Sequence, residues 1–459
     1  MGLWDVVLFN IAAVLGPRWV ARAAHAGQSA TILWILAVVF FFLPTAFIIA
    51  ELSTRYPNEG GIYVWTKEAF GDFHGFVCGW CYWVYTLLYF PSLLTASVAM
   101  SVYIGGPSHA WLADNKVYIT AASLLVLAIA AGMNLVGMNI GKWLQNAGGV
   151  GTYVPLVMLF GVGVWWYMHH GSATVFSRES FVPNTDFDTL NFWSGIAFAL
   201  TGMELICTMS EEIKDPKKTL PRSIFIAAAA IAVIYILGTL AVQFMIDPDH
   251  VNTQNGVFQA ISMGSAAYGF AWFGVIAALL VTVGNAGGVG ATVAGVARVP
   301  FVAGIDRYMP EAFGKLHPKW RTPYVAIIVQ AILSAIILVL YQMNESISGA
   351  YEEMINATII VYFIPFLYMY AAALKLSARP DRKTSDAVLV PGGKPGILIM
   401  GVLGFAVTAV SIVLAVIPSK DVINKPLFEI KVAGSTIAAV IIGLMLYYRG
   451  AQSRAVERH

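Results

Sequence analysis

Apolar runs of about twenty residues return throughout this 459-residue chain, and each, as a helix, is long enough to cross a hydrocarbon layer about 30 Å thick. In lipid every backbone amide and carbonyl needs an internal partner, so runs of this length are read as spanning helices. Composition agrees: 58% of residues are apolar and 11% charged, with a mean hydropathy of +0.73, whereas a soluble chain carries about a quarter charged residues. The expected fold is an all-α integral membrane protein, a single transmembrane domain over 1–459 rather than the roughly three soluble domains that length alone suggests.

Hydropathy and Pro/Gly punctuation place twelve spans near 3–24, 31–53, 75–104, 117–136, 148–168, 190–209, 223–246, 268–298, 323–342, 354–376, 396–417 and 432–448. An even count puts both termini on one side. That side collects Arg55, Lys67, Lys142, Lys214, Lys217, Lys218, Arg222, Arg298, Arg307, Lys315, Lys319, Arg321, Lys375, Arg379, Arg382, Lys383, Lys394, Arg449, Arg454 and Arg458, 20 of the 27 Lys and Arg. By the positive-inside rule both termini are cytoplasmic. The first residues lack a basic n-region, so the first span is expected to stay in the mature protein of the cell membrane. A net charge of +2 gives no basic surface for nucleic acid, and the expected surroundings are the lipid bilayer, with no obligatory protein partner evident. Cys78 and Cys81 form C-G-W-C within an apolar run, where thiols without water or a basic neighbour pack rather than react.

Two spans are interrupted. The first contains Gly16-Pro17-Arg18, and the sixth contains Phe198-Ala-Leu-Thr-Gly202-Met-Glu204. Proline removes an amide donor and glycine weakens a helix, and such breaks are tolerated in lipid only where the freed groups are buried in protein or line a cavity. Breaks at corresponding places of two five-span halves are the pattern of inverted-repeat transporters. A proline kink plus a packing glycine is the other reading of these two segments.

The segments facing the terminal side sharpen the choice. They are Glu51-Leu-Ser-Thr-Arg-Tyr-Pro57-Asn-Glu-Gly60-Gly61-Ile-Tyr63-Val-Trp65, then Glu211-Glu212-Ile-Lys214-Asp-Pro216 through Pro221-Arg222, and Ala297-Arg298 through Asp306, Pro310 and Phe313 to Thr322-Pro323. Together they resemble the amino acid, polyamine and organocation transporter superfamily over nearly the whole chain. Pro391-Gly392-Gly393-Lys394-Pro-Gly396 before span 11 is most similar to the glutamate and γ-aminobutyrate antiporter branch. The resemblance implies a leucine-transporter-type five-plus-five inverted repeat, with 1–170 as the first repeat, 190–377 as the second and 396–448 as two additional helices. Taken alone, the loop Lys and Arg read as topological anchors.

An amino acid brings a carboxylate and an ammonium to the midplane, where broken helices offer free amides and carbonyls in place of water. The superfamily's first break is a Gly-Ser-Gly-like run whose amides bind the substrate carboxylate; here the aligned residues are Gly16, Pro17 and Arg18. Pro17 cannot donate. Two roles are open for Arg18: binding a carboxylate bidentately, which favours an anionic substrate, or pointing outward to the interface as a structural cation. On span 6, Phe198 stands where relatives carry a gate over the substrate, and Gly202 and Glu204 match the break and its acidic residue. Glu204 either exchanges a proton during transport or ties span 6 to a neighbour. Thr86 and Tyr89 on span 3, Asn285 and Thr292 on span 8 and Tyr362 on span 10 are polar candidates at mid-membrane depth, each also able merely to bridge helices. Asn10 either faces the site or caps freed backbone groups.

No lysine occurs in 145–155, the part of span 5 where many relatives carry one; Thr152 and Tyr153 stand there instead. That weakens a lysine-mediated proton mechanism and favours exchange, with proton-coupled symport of amino acids or polyamines as the alternative. A non-transporting sensor lacks a sizeable soluble domain here. An enzyme or pump is disfavoured, since His169-His170 is a lone pair at a span end and no nucleotide-binding loop of the G-x-x-x-x-G-K-[ST] kind occurs. No metal or cofactor is expected, and the expected ligand is a small amino acid or amine.

Overall fold

The computed structural model describes residues 1–58, 60–177, 182–183, 187–270, 272–300, 308–343, 347–379, 387–418, 422 and 424–456. Glu59, Asp306, Arg307, Arg382, Lys383 and Arg458, which belong to the motifs and the basic set, lie outside these residues. The described residues form helices and connecting turns, with no strand among them.

In chain order the helices are α1 (Leu3–Val14), α2 (Pro17–His25), α3 (Gly27–Arg55), α4 (Ile62–Phe70), α5 (Asp72–Ser101), α6 (Lys116–Val136), α7 (Met138–His170) and α8 (Phe187–Ala199). They continue with α9 (Pro216–Met245), α10 (Gly256–Ala267), α11 (Trp272–Val296), α12 (Tyr324–Gln342), α13 (Ile347–Ser377), α14 (Gly393–Ala415) and α15 (Lys425–Val456). Among the described residues ten helices are long and apolar enough to cross a membrane, and α1 with α2 qualifies as a pair bent by 41°.

The spanning helices follow the apolar runs, several with ends shifted by up to eight residues, and three differences stand out. Helix α7 begins at Met138 rather than 148, because Gly148 and Gly149 are contact points and not stops. A Cβ on Gly148 would lie 2.6 Å from the Gly287 Cα of α11, and one on Gly149 would lie 2.6 Å from the Leu8 carbonyl of α1. Small residues let helix backbones approach closely in lipid, and Gly288 of α11 faces the Ala12 carbonyl in the same way, at 3.0 Å from a built Cβ. Helix α1 is thereby seated against glycine faces of α7 and α11.

The run expected as one span over 190–209 is the second difference. Helix α8 ends at Ala199 and a separate 3₁₀ segment, Leu205–Glu212, follows. Third, α4 and α10, too short to span, were not foreseen from hydropathy. The turn before α4 needs positive φ at Gly60 (110°) and Gly61 (47°), a region open to glycine. It docks on the segment after the second break: Ser210 Oγ donates to the Pro57 carbonyl at 2.6 Å, and a Cβ on Gly61 would meet Thr208 N at 3.2 Å. The chain start is tied to the same place, its ammonium donating to the Glu212 carbonyl at 2.6 Å, while Arg298 pairs with the Glu212 carboxylate.

Candidate substrate site

The first break consists of Leu15 and Gly16, both extended (ψ 121° and 122°), after which Pro17 opens α2 as its first residue. Proline suits that position, since its missing N–H would be unpaired there anyway. The second break turns at Gly202, whose φ of 113° is strained for any other residue. The two breaks touch: a Cβ on Gly202 would lie 3.2 Å from Val14 Cγ2 and 3.3 Å from the Ala13 carbonyl.

One phenol joins them. The Tyr235 hydroxyl on α9 accepts the Gly16 N–H at 3.0 Å and lies 2.7 Å from the Val14 carbonyl and 3.2 Å from the Ala199 carbonyl. It thus pairs the amide and the carbonyl that the first break releases, which otherwise would be unsatisfied in a water-poor interior, and makes a longer contact with the carbonyl that ends α8. Trp34 stacks on the Tyr235 ring, centroids 4.5 Å apart and planes 9° apart, and is itself held by Thr239 Oγ1 at 2.9 Å.

Glu204, fully buried, is saturated with donors. One carboxylate oxygen accepts from Tyr82 at 2.9 Å and from Tyr362, and the other accepts the Gly202 N–H at 3.1 Å. The carboxylate therefore binds the second break to α5 and α13.

Two small cavities lie beside the breaks. One, of about 20 Å³, is walled by Val14, Trp19, Tyr89, Phe198, Gly202, Thr292 and Tyr362 among others. The other, of about 10 Å³, is walled by Gly16, Arg18, Trp19, Tyr89 and Asn285 among others. Each has space for about one water, so an amino acid enters only if the helices move apart.

Arg18 is 2% exposed rather than reaching outward to the interface. Its guanidinium lies over the rings of Trp19 (4.7 Å) and Tyr89 (5.1 Å), and none of its three nitrogens has a hydrogen-bond partner. Arg22, one turn on, has a different fate: it makes a two-point ion pair with Glu352 of α13 at 3.0 and 3.2 Å and donates to Asn191 of α8 at 3.3 Å.

Of the residues singled out in the sequence, Gly16, Arg18, Tyr89, Phe198, Gly202, Asn285, Thr292 and Tyr362 line one or both cavities. Pro17 is buried between Gly16 and Arg18, and Glu204 sits behind Tyr362. Two stand apart. Thr86 accepts from Gln330 of α12 at 2.7 Å and donates to the Trp83 carbonyl, a helix bridge rather than a cavity wall. Asn10 is fully buried with neither amide atom hydrogen-bonded, so it caps no freed backbone group. Tyr235, Trp19 and Tyr85 were missed. Tyr82, Tyr85 and Tyr89 recur at three and four residues, which places them on one helix face, and that spacing was a usable signal.

The profile of the amino acid permease family matches residues 1–446. The chain belongs to that family. This permease is 27% identical over 447 residues to an uncharacterized transporter of Legionella pneumophila, covering 96% of this chain and 95% of the other. It is 24% identical over 452 residues to a "Probable agmatine/putrescine antiporter" of Lactococcus lactis, covering 98% and 95%. With a "Serine/threonine exchanger" of Bacillus subtilis it shares 26% identity over 387 residues, covering 81% of each. Family membership and the apolar helices make it a multi-pass membrane transport protein for amino acids or amines.

Proposed function

We propose that this permease is a secondary transporter that exchanges amino acids across the cytoplasmic membrane by alternating access. The substrate occupies the space between the span 1 and span 6 breaks, against Gly16, Pro17, Arg18, Tyr89, Phe198, Gly202, Asn285, Thr292 and Tyr362. The contact of the two breaks at Gly202, with small cavities on either side of Trp19 and Tyr89, carries this reading. In it α1 with α2 forms one span and α8 with 205–212 another, twelve in all, with both termini cytoplasmic. Residues 1–170 and 190–377 are the inverted repeats and 396–448 the two added helices. Exchange is favoured by the absence of lysine in 145–155 and by the names of two relatives, an antiporter and an exchanger.

Proton-coupled symport is the second reading, and one observation speaks for it: Glu204 joins the break to two phenols, a place where gain of a proton by the carboxylate would change the span's attachments. Counterflow decides between them. Proteoliposomes holding the purified chain are loaded with unlabelled amino acids or amines and offered labelled ones. Exchange predicts uptake only with internal substrate; accumulation into empty vesicles under a pH gradient overturns it.

A further inference from the structure

We infer that the outward-facing groove between α7, the end of α10 and the start of α11 is a binding site for a phospholipid of the surrounding bilayer, with an acyl chain in the groove and the phosphate at His169 and His170. The groove lies apart from the two breaks, and the transport reading makes no use of it. Three observations carry the assignment.

First, the groove arises where two spanning helices part. Along 148–151 of α7 and 280–287 of α11 the backbones touch: a Cβ on Gly148 would lie 2.6 Å from Gly287 Cα, and one on Gly151 would run into the Leu280 carbonyl. Beyond that contact α10 is wedged between them. A Cβ on Gly264 of α10 would run into Val162 Cγ1 of α7, and one on Gly274 of α11 would lie 3.0 Å from Ser262 Oγ of α10. A Cβ on Gly161 of α7, by contrast, meets nothing within 4 Å. The space beside it, about 390 Å³, is walled by Met158, Val162, Trp165, Phe270, Trp272 and Phe273 among others, against about 20 and 10 Å³ beside the breaks.

Second, the dimensions fit a lipid tail and not a helix of another protein. From Met158 to His170 is about 18 Å of helix at about 1.5 Å per residue, close to the roughly 15 Å of hydrocarbon in one leaflet. Spread over the ~10 Å between Met158 and Trp165, the volume of about 390 Å³ gives a cross-section of about 40 Å². A helix, about 10–12 Å across with its side chains, needs about 80–110 Å². Third, the mouth has the chemistry of the membrane interface. Trp165 stacks on Tyr268, with Phe270 and Trp272 exposed beside them, and Trp and Tyr gather at headgroup level. One turn beyond Trp165 stand His169 and His170, both exposed. His169 Nδ1 donates to the Trp165 carbonyl at 2.8 Å, and His170 Nδ1 lies 3.4 Å from the Tyr268 hydroxyl. Nε2, a donor in the imidazolium form, is the edge each ring has for a phosphate oxygen. Lipid tails are as apolar as these walls, so close packing in the groove does the selecting. The same wedge helix leans on the first broken span: a Cβ on Gly256 of α10 would lie 3.2 Å from the Ala21 Cβ of α2.

The test uses the full chain in phosphatidylcholine vesicles that contain a small fraction of phosphatidylcholine with a diazirine near the end of one acyl chain. Illumination followed by peptide mapping reads where that tail lies. The face of α14 at Leu398, Val402 and Phe405 is exposed and reports ordinary contact with lipid. Labelling of the groove walls at 158–165 and 272–273 should exceed that of α14 by at least about fivefold, a preference of about 1 kcal/mol. Gly161→Phe fills the groove from a position where a Cβ meets open space; it should bring groove labelling down to the α14 level and leave α14 unchanged. Replacing His169 and His170 together by Ala should remove at least about half of the excess, the share expected when a charge-assisted contact is lost. Wild-type labelling no stronger in the groove than on α14, or an excess that survives Gly161→Phe, overturns the site. An excess untouched by the double histidine substitution overturns the phosphate's place in it. If Gly161→Phe does not fold, the wild-type ratio and the histidine variant decide.

Discussion

Replacing Tyr235 by Phe isolates the bond network that joins the two breaks. The substitution removes only the hydroxyl, and the Trp34 stack at 4.5 Å is kept. A phenol has one hydrogen, so its three contacts amount to one bond accepted, from Gly16 N–H at 3.0 Å, and one donated, chiefly to the Val14 carbonyl at 2.7 Å. Phenylalanine leaves one buried amide and one buried carbonyl unpaired, at about 1–3 kcal/mol each. With some relaxation of the break, the expected loss is about 2–4 kcal/mol. Titration with sodium dodecyl sulfate from mixed micelles reads this directly as a shift in the unfolding free energy. Exchange per folded molecule should fall as well, because the two half-helix ends no longer share a fixed partner. Trp34→Phe is the contrast: it weakens packing but keeps the hydroxyl, so stability falls while exchange per folded molecule persists. A Tyr235→Phe protein within about 0.5 kcal/mol of wild type and fully active in exchange would refute the bridging role.

Three further outcomes follow from the same geometry. Arg22→Met should destabilise by about 3–5 kcal/mol by stranding the Glu352 carboxylate, and adding Glu352→Leu should restore most of it; a double-mutant cycle by the same titration checks this, and a double variant as unstable as the single contradicts it. Gly202→Ala should abolish exchange, since the backbone there has φ 113° and the new methyl would press on Val14 and Ala13; normal counterflow by this variant rules out the tight contact of the breaks. Glu204→Gln puts an amide donor against the Gly202 N–H or loses the double acceptor for Tyr82 and Tyr362; slower exchange with a flattened pH profile is expected, and an unaltered profile removes Glu204 from any proton step.

The spanning helices were legible because lipid imposes one length and one polarity on each of them. The first break was legible too, since Gly16 and Pro17 carry their backbone consequences in their own chemistry. The second was half visible: Gly202 marked the turn, but α8 is short and the 3₁₀ segment after it is held by contacts of Glu204 with Tyr82 and Tyr362 and of Ser210 and Thr208 with Pro57 and Gly61, which are tertiary. Pairings across long separations left no local trace. Arg22 with Glu352, Thr86 with Gln330 and Tyr235 with two breaks each join residues distant in sequence. The position of Arg18 was undecidable from one sequence, because the same side chain can snorkel or stay inside; packing between Trp19 and Tyr89 keeps it inside.

Substrate held between the two breaks would shield a reactive side chain placed there, so site protection is the sharpest check. Thr292 lines the larger-bordered cavity beside Gly202 and Tyr362, while the native Cys78, Cys81 and Cys207 are buried. A Thr292→Cys variant in a background without the native cysteines is treated with a small thiol reagent, with and without the substrate found by counterflow. Labelling should stop exchange, and substrate should slow the labelling in proportion to its occupancy. Labelling that substrate leaves unchanged, or that leaves exchange intact, would contradict a site between the breaks.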